Sequence, residues 1–268
     1  MDASKMSIKE LKQVLVDARV PIPSGIEKSE LIALVQKQLS TPPKRTAQFS
    51  RIHYFGSELS KCKAIFLFFH GYGADELQFT FLENFIDPGV AVVSPKSPDE
   101  GWWPLNVMEW AIAMQSGQLE TKIKERPRGL VEARESALAF AKELTARAPA
   151  DVPVLIGGFS QGAVMAMDVA LAMPSEKKVF VAAFSPFVVD MLHWEERAKR
   201  HGANLRALVT HGTADPIIPY FASEALVSLL KGAGCTVKFA SHSGGHTLGD
   251  EPVLRVCRTF FSEAANST

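Results

Sequence analysis

The feature that most constrains this chain is a serine held between two glycines. Gly158, Ser160 and Gly162 form a Gly-x-Ser-x-Gly pattern. Residues 152–156 before it are apolar and rich in β-branched side chains, as a buried strand is, whereas residues 163–173 after it are helix formers. The pattern predicts a strand-to-helix turn that needs glycine on both sides and lifts the serine oxygen clear of a sheet. A glycine-rich loop with a solvent-facing serine is the alternative, and the flanking elements disfavour it.

Strand and helix patterns alternate along most of the chain. We expect strands at 49–55, 63–69, 90–94, 152–157, 178–184, 205–210 and 235–241, and helices at 76–85, 105–114, 129–148, 161–173, 190–201, 220–232 and 250–264. Repeated strand–helix units predict an α/β fold with a mostly parallel central sheet flanked by helices.

The first 45 residues follow a different pattern. Ser7 and Glu10 form a capping box at the start of an apolar helical repeat, and residues 27–39 predict a second helix after a Pro/Gly turn. Residues 41–46 read as a linker. The sequence therefore predicts a small two-helix module over 1–45 and a larger domain over 46–268.

Composition narrows the class of protein. The 268 residues carry 29 basic and 29 acidic side chains, so the zero net charge gives no general preference for nucleic acid or an anionic membrane. Three dispersed cysteines without a C-x-x-C indicate a reducing compartment. No apolar run approaches the roughly 20 residues of a membrane span, and the N-terminus resembles neither a signal peptide nor a presequence. We expect a cytoplasmic protein with no integral membrane segment.

Two residues after Ser160 complete a candidate set for nucleophilic catalysis. A serine hydroxyl needs a base to take its proton, and that base is usually a histidine held by a carboxylate. Asp215 follows the strand at 205–210, and His246 follows two glycines after the last strand, so both fall at the carboxyl ends of strands. His242 is the competing base, and Asp168, inside the helix after Ser160, is a poorer acid.

Backbone donors for an oxyanion are expected at two turns. One is the N–H of Gln161, directly after the serine, and the other is the N–H of Tyr72 in the Gly-containing loop that follows the strand at 63–69. An ordinary strand-to-helix turn explains the second loop equally well. Only His242 and His246 have a four-residue spacing, and the glycines between them suggest a loop, so we expect no metal site and no cofactor.

Four apolar residues are candidates for substrate binding. Trp102 and Trp103 lie in a Pro/Gly loop, where exposed rings at a site rim would bind apolar parts of a substrate. Packing of both rings against the helix that begins near Leu105 is an equal alternative. Phe187 and Val188, after the strand at 178–184, are further pocket-lining candidates with the same alternative.

Four motifs together resemble the phospholipase/carboxylesterase family of α/β-hydrolases, which includes the acyl-protein thioesterases. They occur in the family's order and spacing, at residues 69–75, 157–163, 211–219 and 244–246. The resemblance covers about residues 47–264 and implies that Ser160, Asp215 and His246 form a catalytic triad. Residues 101–105 and 126–130 look more like the predicted-esterase branch of that family.

The N-terminal segment is similar to a SAP-type helical module. The matching positions are Leu11, Val14, Leu15, Val20, Gly25, Lys28, Leu31, Ile32 and Val35. The resemblance implies a docking role, and SAP modules often bind nucleic acid. Residues 1–45 carry eight basic and five acidic side chains, a modest excess that solvated helix faces also explain, so protein docking is the first hypothesis and nucleic acid the second.

The sequence as a whole predicts a serine hydrolase that cleaves a carboxylic ester or thioester, either small or lipid-like, through an acyl-enzyme. The alternative is a catalytically weak hydrolase-fold binding protein whose N-terminal module docks a protein or nucleic acid.

Overall fold

The chain divides into two compact units, Met1–Ala47 and Gln48–Thr268. The computed structural model describes residues 3, 6–17, 22–23, 25–40, 49–105, 110, 113 and 116–267.

The first unit contains two helices, α1 (Ile8–Asp17) and α2 (Lys28–Ser40). The predicted capping box at the start of α1 is confirmed: Glu10 Oε2 accepts the Ser7 N–H at 2.7 Å, and Ser7 Oγ accepts the Glu10 N–H at 3.3 Å. The two helices share a small apolar core that includes Leu11, Leu15, Leu31 and Val35.

The second unit is built on one sheet. Within the described residues its strands are β1 (Ile52–Gly56), β2 (Ala64–Phe69), β3 (Val90–Pro95), β4 (Val154–Phe159), β5 (Val179–Phe184), β6 (Leu205–Gly212) and β7 (Thr236–His242). Their order is β1-β3-β2-β4-β5-β6-β7, with β1 antiparallel to β3 and every other pair parallel. The predicted, mostly parallel α/β sheet is therefore confirmed, and the carboxyl ends of β2 to β7 lie along one edge.

Helices cover both faces of the sheet. They are α3 (Leu119–Lys122), α4 (Leu130–Ala146), α5 (Gln161–Ala172), α6 (Met191–His201), α7 (Tyr220–Gly232) and α8 (Glu251–Ala265). One apolar cluster joins the sheet to α4, α5, α6 and α7, and a second joins its other face to α8. The central strands are apolar on both faces because each face is buried under helices.

Three predicted elements differ from the observed ones. The helix predicted at 76–85 is wrong in type, because only Thr80–Asn84 is helical and it is a 3-10 helix. Strand β4 continues to Phe159, so Ser160 follows it directly, and β6 continues to Gly212 and so contains His211. The helix predicted over 105–114 falls mostly outside the described residues.

Candidate active site

Ser160 lies on a strained turn between β4 and α5. Its backbone has φ 55° and ψ −121°, a conformation that residues other than glycine rarely adopt. The turn is tied to the neighbouring strand, because the Ser160 N–H donates to the Phe184 carbonyl at 2.8 Å. The serine therefore stands at the carboxyl edge of the sheet, at the N-terminus of α5, as its sequence pattern predicts.

The glycines on either side of Ser160 allow this turn to form. A Cβ at Gly158 would collide with the carbonyl of Gly162, and one at Gly162 would collide with the carbonyls of Phe69 and His70. The prediction that the turn needs glycine on both sides is confirmed. Helix α5 can begin against the end of β2 only because Gly162 has no side chain.

Gly162→Ala is expected to destabilise the fold by about 1–3 kcal/mol, because the new methyl group must displace two backbone carbonyls rather than a flexible side chain. Urea unfolding followed by circular dichroism measures this. Gly232→Ala is the matched control, since Gly232 is also helical and an added Cβ there meets nothing within 4 Å. Equal unfolding midpoints for the two variants would contradict the role assigned to the close approach.

Asp215 and His246 form a hydrogen-bonded pair beside this turn. His246 Nδ1 lies 2.7 Å from Asp215 Oδ2, and the carboxylate is fully buried while the His246 side chain keeps 18% of its exposure. Asp215 Oδ1 accepts the N–H groups of Ile217 at 2.8 Å and Ile218 at 2.9 Å. The structure brings together the acid and the base that sequence reasoning preferred.

The environment of Asp215 stabilises its ionised form. Burial is the largest single influence on the pKa of this carboxyl and would raise it. The hydrogen bonds from the Ile218 N–H, the His246 ring and the Ile217 N–H together outweigh burial, so the pKa of Asp215 lies below the ordinary value. The carboxylate is therefore available to hold the imidazole at neutral pH.

His246 reaches the serine turn through its ring. The imidazole packs on Phe159, the residue before Ser160, with ring centroids 4.6 Å apart. Among the described residues, no hydrogen bond joins Ser160 Oγ to His246 Nε2. Such contacts are often long in the absence of a substrate and tighten when one binds.

The two weaker candidates have other partners. His242 is buried at the end of β7, and its Nδ1 accepts the Gly244 N–H at 3.1 Å. Asp168 lies inside the protein between Arg134 at 3.0 Å and Arg197 at 3.1 Å, and Trp194 Nε1 donates to it at 2.9 Å. Neither side chain contacts the Asp215–His246 pair through a hydrogen bond, and Asp168 links helices α4, α5 and α6.

The two candidate oxyanion donors lie at adjoining turns. The loop that contains Tyr72 is held by its neighbours, since the Gly71 N–H donates to Gln78 Oε1 at 2.8 Å and the Gly73 N–H donates to the Glu100 carbonyl at 2.7 Å. Within the described part of the chain, the N–H groups of Tyr72 and Gln161 have no acceptor. Their role as oxyanion donors stays a prediction.

Trp102 and Trp103 are buried, so of the two alternatives left open by the sequence, exposed rings at the site rim are contradicted. They retain only 5% and 3% of their exposure. The physical reason is the buried Gln161 side chain, whose Oε1 accepts the Trp102 N–H at 3.0 Å and whose Nε2 donates to the Trp103 carbonyl at 2.9 Å. Trp102 Nε1 also donates to the His70 carbonyl at 2.8 Å. These contacts dock the tryptophan loop on the start of α5.

His70 joins this loop to the Tyr72 loop. Its Nδ1 donates to the Gly71 carbonyl at 2.7 Å, and its Nε2 accepts the Ser97 N–H at 3.0 Å, which defines a neutral tautomer. Burial lowers the pKa of His70 and favours the same neutral form. Sequence reasoning assigned a role only to the Gln161 backbone and none to the His70 ring. The contacts that join the loops, from Gln161 to Trp102 and from His70 to Ser97, span 59 and 27 residues, and no local pattern predicts them.

Phe187 and Val188 are buried too, at 8% and 2% exposure. The Phe187 ring meets Trp110 edge-on, with centroids 4.8 Å apart. Both residues follow β5 at the same edge of the sheet as Ser160. Their part in substrate binding stays a prediction.

Two further features of the described residues concern other possible ligand sites. No group of three His, Cys, Asp or Glu side chains there is placed to hold a metal ion. A groove of about 730 Å³ lies at the opposite end of the strands, where Val154 and Val179 begin β4 and β5, and it does not include the Ser160 turn.

The sheet order, the strained serine turn and the paired acid and base at one edge define an α/β-hydrolase. Residues 56–262 match the family model described as Phospholipase/Carboxylesterase, and the chain belongs to that family. It is by this membership a carboxylic ester hydrolase. The match begins after the two N-terminal helices, so their SAP-like character stays a prediction.

Curated relatives and solved structures agree with this family. The chain is 28% identical over 171 residues to acyl-protein thioesterase 1 of Eremothecium gossypii, covering 61% of this chain and 71% of that protein. It is 33% identical over 109 residues to acyl-protein thioesterase 1 of Neurospora crassa, covering 40% of this chain and 44% of that protein. The crystal structure of Zea mays acyl-protein thioesterase 2 shares the fold at a TM-score of 0.60 and 20% identity, covering 79% of this chain and 99% of that chain. The crystal structure of esterase PE8 shares the fold at a TM-score of 0.60 and 24% identity, covering 79% of this chain and 97% of that chain.

No helix among the described residues is long and apolar enough to cross a bilayer.

Proposed function

We propose that this protein hydrolyses carboxylic ester or thioester bonds through a Ser160–His246–Asp215 triad and an acyl-enzyme. The observation that carries the proposal is the Asp215–His246 pair, joined at 2.7 Å, packed through Phe159 against the strained Ser160 turn. A histidine held by a buried carboxylate beside an elevated serine is the arrangement that activates a hydroxyl for acyl transfer.

In the acylation step, Ser160 Oγ attacks the carbonyl carbon while His246 Nε2 takes the hydroxyl proton. Asp215 stays ionised, holds the imidazole through Nδ1 and stabilises the imidazolium. The tetrahedral oxyanion accepts hydrogen bonds from the backbone N–H groups of Tyr72 and Gln161. As the carbonyl re-forms, the bond to the leaving alcohol or thiol breaks, and that group leaves with the proton from His246.

Deacylation repeats these transfers with water. His246 Nε2 takes a proton from water as its oxygen attacks the acyl-enzyme carbonyl, and the same two N–H groups hold the second oxyanion. Collapse of this intermediate releases a carboxylic acid, and Ser160 Oγ recovers its proton from His246. The residues named here require no metal or organic cofactor for either step.

The edge that carries Ser160 also presents large apolar side chains to solvent. They follow the carboxyl ends of β2, β5 and β6 and are Tyr72, Leu77, Leu192, Ile217 and Phe221. Exposed apolar groups gathered at one edge favour contact with an apolar partner. This supports a lipid-like acyl group as substrate, consistent with the thioesterase names of the curated relatives.

Hydrolysis of p-nitrophenyl esters from acetate to palmitate, with a thioester alongside, tests the proposed reaction. We expect turnover of these substrates and labelling of Ser160 by a fluorophosphonate. An added p-nitrophenyl ester should slow the labelling, because it competes for the same serine. A wild-type protein that neither hydrolyses any of these substrates nor takes up the label would reject the proposal in favour of a hydrolase-fold binding protein.

Leu192→Ser and Phe221→Ser are expected to lower kcat/KM for palmitate by about threefold to tenfold, because each removes apolar surface from the edge that receives the chain. The acetate ester, which is too short to reach this surface, serves as the internal reference. Tyr54→Ser is the control variant, since Tyr54 is similarly exposed but lies on the antiparallel edge strand β1. A uniform loss across all chain lengths would argue against an acyl-binding edge.

For the N-terminal helices we propose a docking role, with nucleic-acid binding as the second hypothesis. Their modest basic excess supports both. Salt-dependent binding of nucleic acid by the full chain that is lost on removal of residues 1–45 would support the second. The cytoplasmic location also stays a prediction, in keeping with three cysteines that are free and buried.

A further inference from the structure

His211 is a fully buried histidine that the proposed reaction does not use. It lies in β6, four residues before Asp215, with no side-chain exposure. The Tyr220 ring packs edge-on against it, with centroids 5.9 Å apart. A buried imidazole this close to the candidate acid calls for a physical role beyond filling space.

The contacts of His211 define where its proton lies. Nε2 faces two acceptors, the Ile218 carbonyl at 2.8 Å and Asp215 Oδ2 at 3.2 Å, so this nitrogen carries the hydrogen. Nδ1 lies 2.5 Å from Ser223 Oγ, which is also 3.3 Å from the Pro186 carbonyl. Burial lowers the pKa of His211 and so favours the neutral ring, in which Nδ1 accepts a hydrogen bond from the Ser223 hydroxyl.

This tautomer places a second N–H beside the carboxylate oxygen that His246 uses. Asp215 Oδ1 accepts two backbone N–H groups, whereas Oδ2 accepts the His246 Nδ1–H at 2.7 Å and lies 3.2 Å from His211 Nε2. The His211 N–H also bonds the Ile218 carbonyl, whereas the Ile218 N–H bonds Asp215. The ring therefore closes the Asp215–Ile218 turn from the opposite side.

We propose that His211 is a positioning residue for the candidate triad: its Nε2–H holds the Asp215–Ile218 turn through the Ile218 carbonyl and lies beside Asp215 Oδ2, the oxygen that His246 contacts. The proposal rests on the proposed function of the triad. Removing this N–H frees the turn to move and concentrates the carboxylate charge on His246. The His246 imidazolium then holds its proton more strongly. As the solution is made more acidic, the variant therefore loses activity at a higher pH than the wild type does. The titratable groups that act on His211 are Asp215, His246 and His242.

Two substitutions separate this role from packing. His211→Phe keeps a flat ring and removes the N–H, whereas the amide N–H of His211→Gln reaches the Nε2 position. We expect the phenylalanine variant to lower kcat/KM for a soluble ester by up to about tenfold, the scale of one lost buried hydrogen bond. We also expect the acid limb of its pH profile to move up by several tenths of a pH unit, and the glutamine variant to restore most of both.

The outcomes distinguish this inference from the proposed function. Suppose that Ser160→Ala abolishes hydrolysis, but that His211→Phe and His211→Gln have the same kcat/KM and the same acid limb in their pH profiles. The proposed function then stands, and only the role of His211 fails.

The low-field proton resonance of the Asp215–His246 hydrogen bond gives a readout that does not need turnover. We expect it to move in His211→Phe and to stay near its wild-type position in His211→Gln. An unmoved resonance in a folded His211→Phe protein would overturn the inference even if the wild type were inert. Should that variant fail to fold, His211→Asn, whose shorter amide cannot reach the Nε2 position, takes its place, and an unmoved resonance there would equally overturn the inference.

Discussion

Ser160→Ala is expected to lower kcat/KM for p-nitrophenyl butyrate by about 10⁴-fold or more, because no other group can form the acyl-enzyme. The substitution removes one oxygen from a turn that the flanking glycines and the bond to Phe184 already hold. The fold should therefore survive, and the loss should lie in kcat. Initial rates on purified protein, with circular dichroism to verify folding, measure it.

The residual activity of Ser160→Ala carries further information. The N–H groups of Tyr72 and Gln161 remain, so some acceleration over water is expected to persist. Ser241→Ala is the matched control, because Ser241 is exposed near the end of β7 and has no part in the proposed reaction. Retention of more than about a tenth of wild-type activity by Ser160→Ala would rule out this serine as the nucleophile.

Asp215→Asn is expected to lower kcat by about 10³- to 10⁴-fold. The hydrogen-bond partners of Asp215 determine how the side-chain amide is oriented in this variant. Its oxygen has to accept the N–H groups of Ile217 and Ile218, so its NH₂ takes the place of Oδ2 and faces His246 Nδ1. A donor at that position forces the proton of the imidazole onto Nε2, which can then no longer accept the proton of Ser160.

The pH dependence of stability checks the same carboxylate without turnover. Because the folded pKa of Asp215 lies below its ordinary value, ionisation stabilises the fold above the unfolded pKa, and this contribution is lost as pH falls through the folded pKa. The Tm advantage of wild type over Asp215→Asn should be full at neutral pH and shrink in the acid range. Asp151→Asn, at an exposed site, is the control. An advantage that does not change with pH would mean that Asp215 is not ionised in the folded protein.

Much of the fold follows from local pattern. The apolar run before Ser160 and the helix formers after it predict a strand and a helix, and β4 and α5 appear there within two residues of the expected bounds. Alternation of such units predicts a parallel sheet, whose carboxyl ends necessarily share one edge. That geometry is why the regions of Ser160, Asp215 and His246 could be placed together from chain order alone.

The sequence already favoured His246 over His242, because His246 follows two glycines just before the last helix, and the tertiary structure shows the physical basis of that difference. Both follow the same strand pattern, four residues apart. A Cβ at Gly212 would collide with the carbonyls of Gly244 and Gly245, so this glycine lets the loop after β7 fold across the end of β6. His242 stays in the strand, and His246 is carried to Asp215.

The sequence by itself determined the α/β architecture, the place of Ser160 on a tight turn and the strand ends that carry the acid and base, because each depends on the backbone preferences of neighbouring residues. The tertiary structure alone decided that the tryptophan loop is buried, since Trp102 and Gln161 are 59 residues apart and meet only after β2, β4 and α5 pack. It also decided that His211 faces Asp215, because that contact needs the turn to bring Ile218 back over β6. Contacts of this kind depend on the packing of whole elements, and no local pattern encodes them.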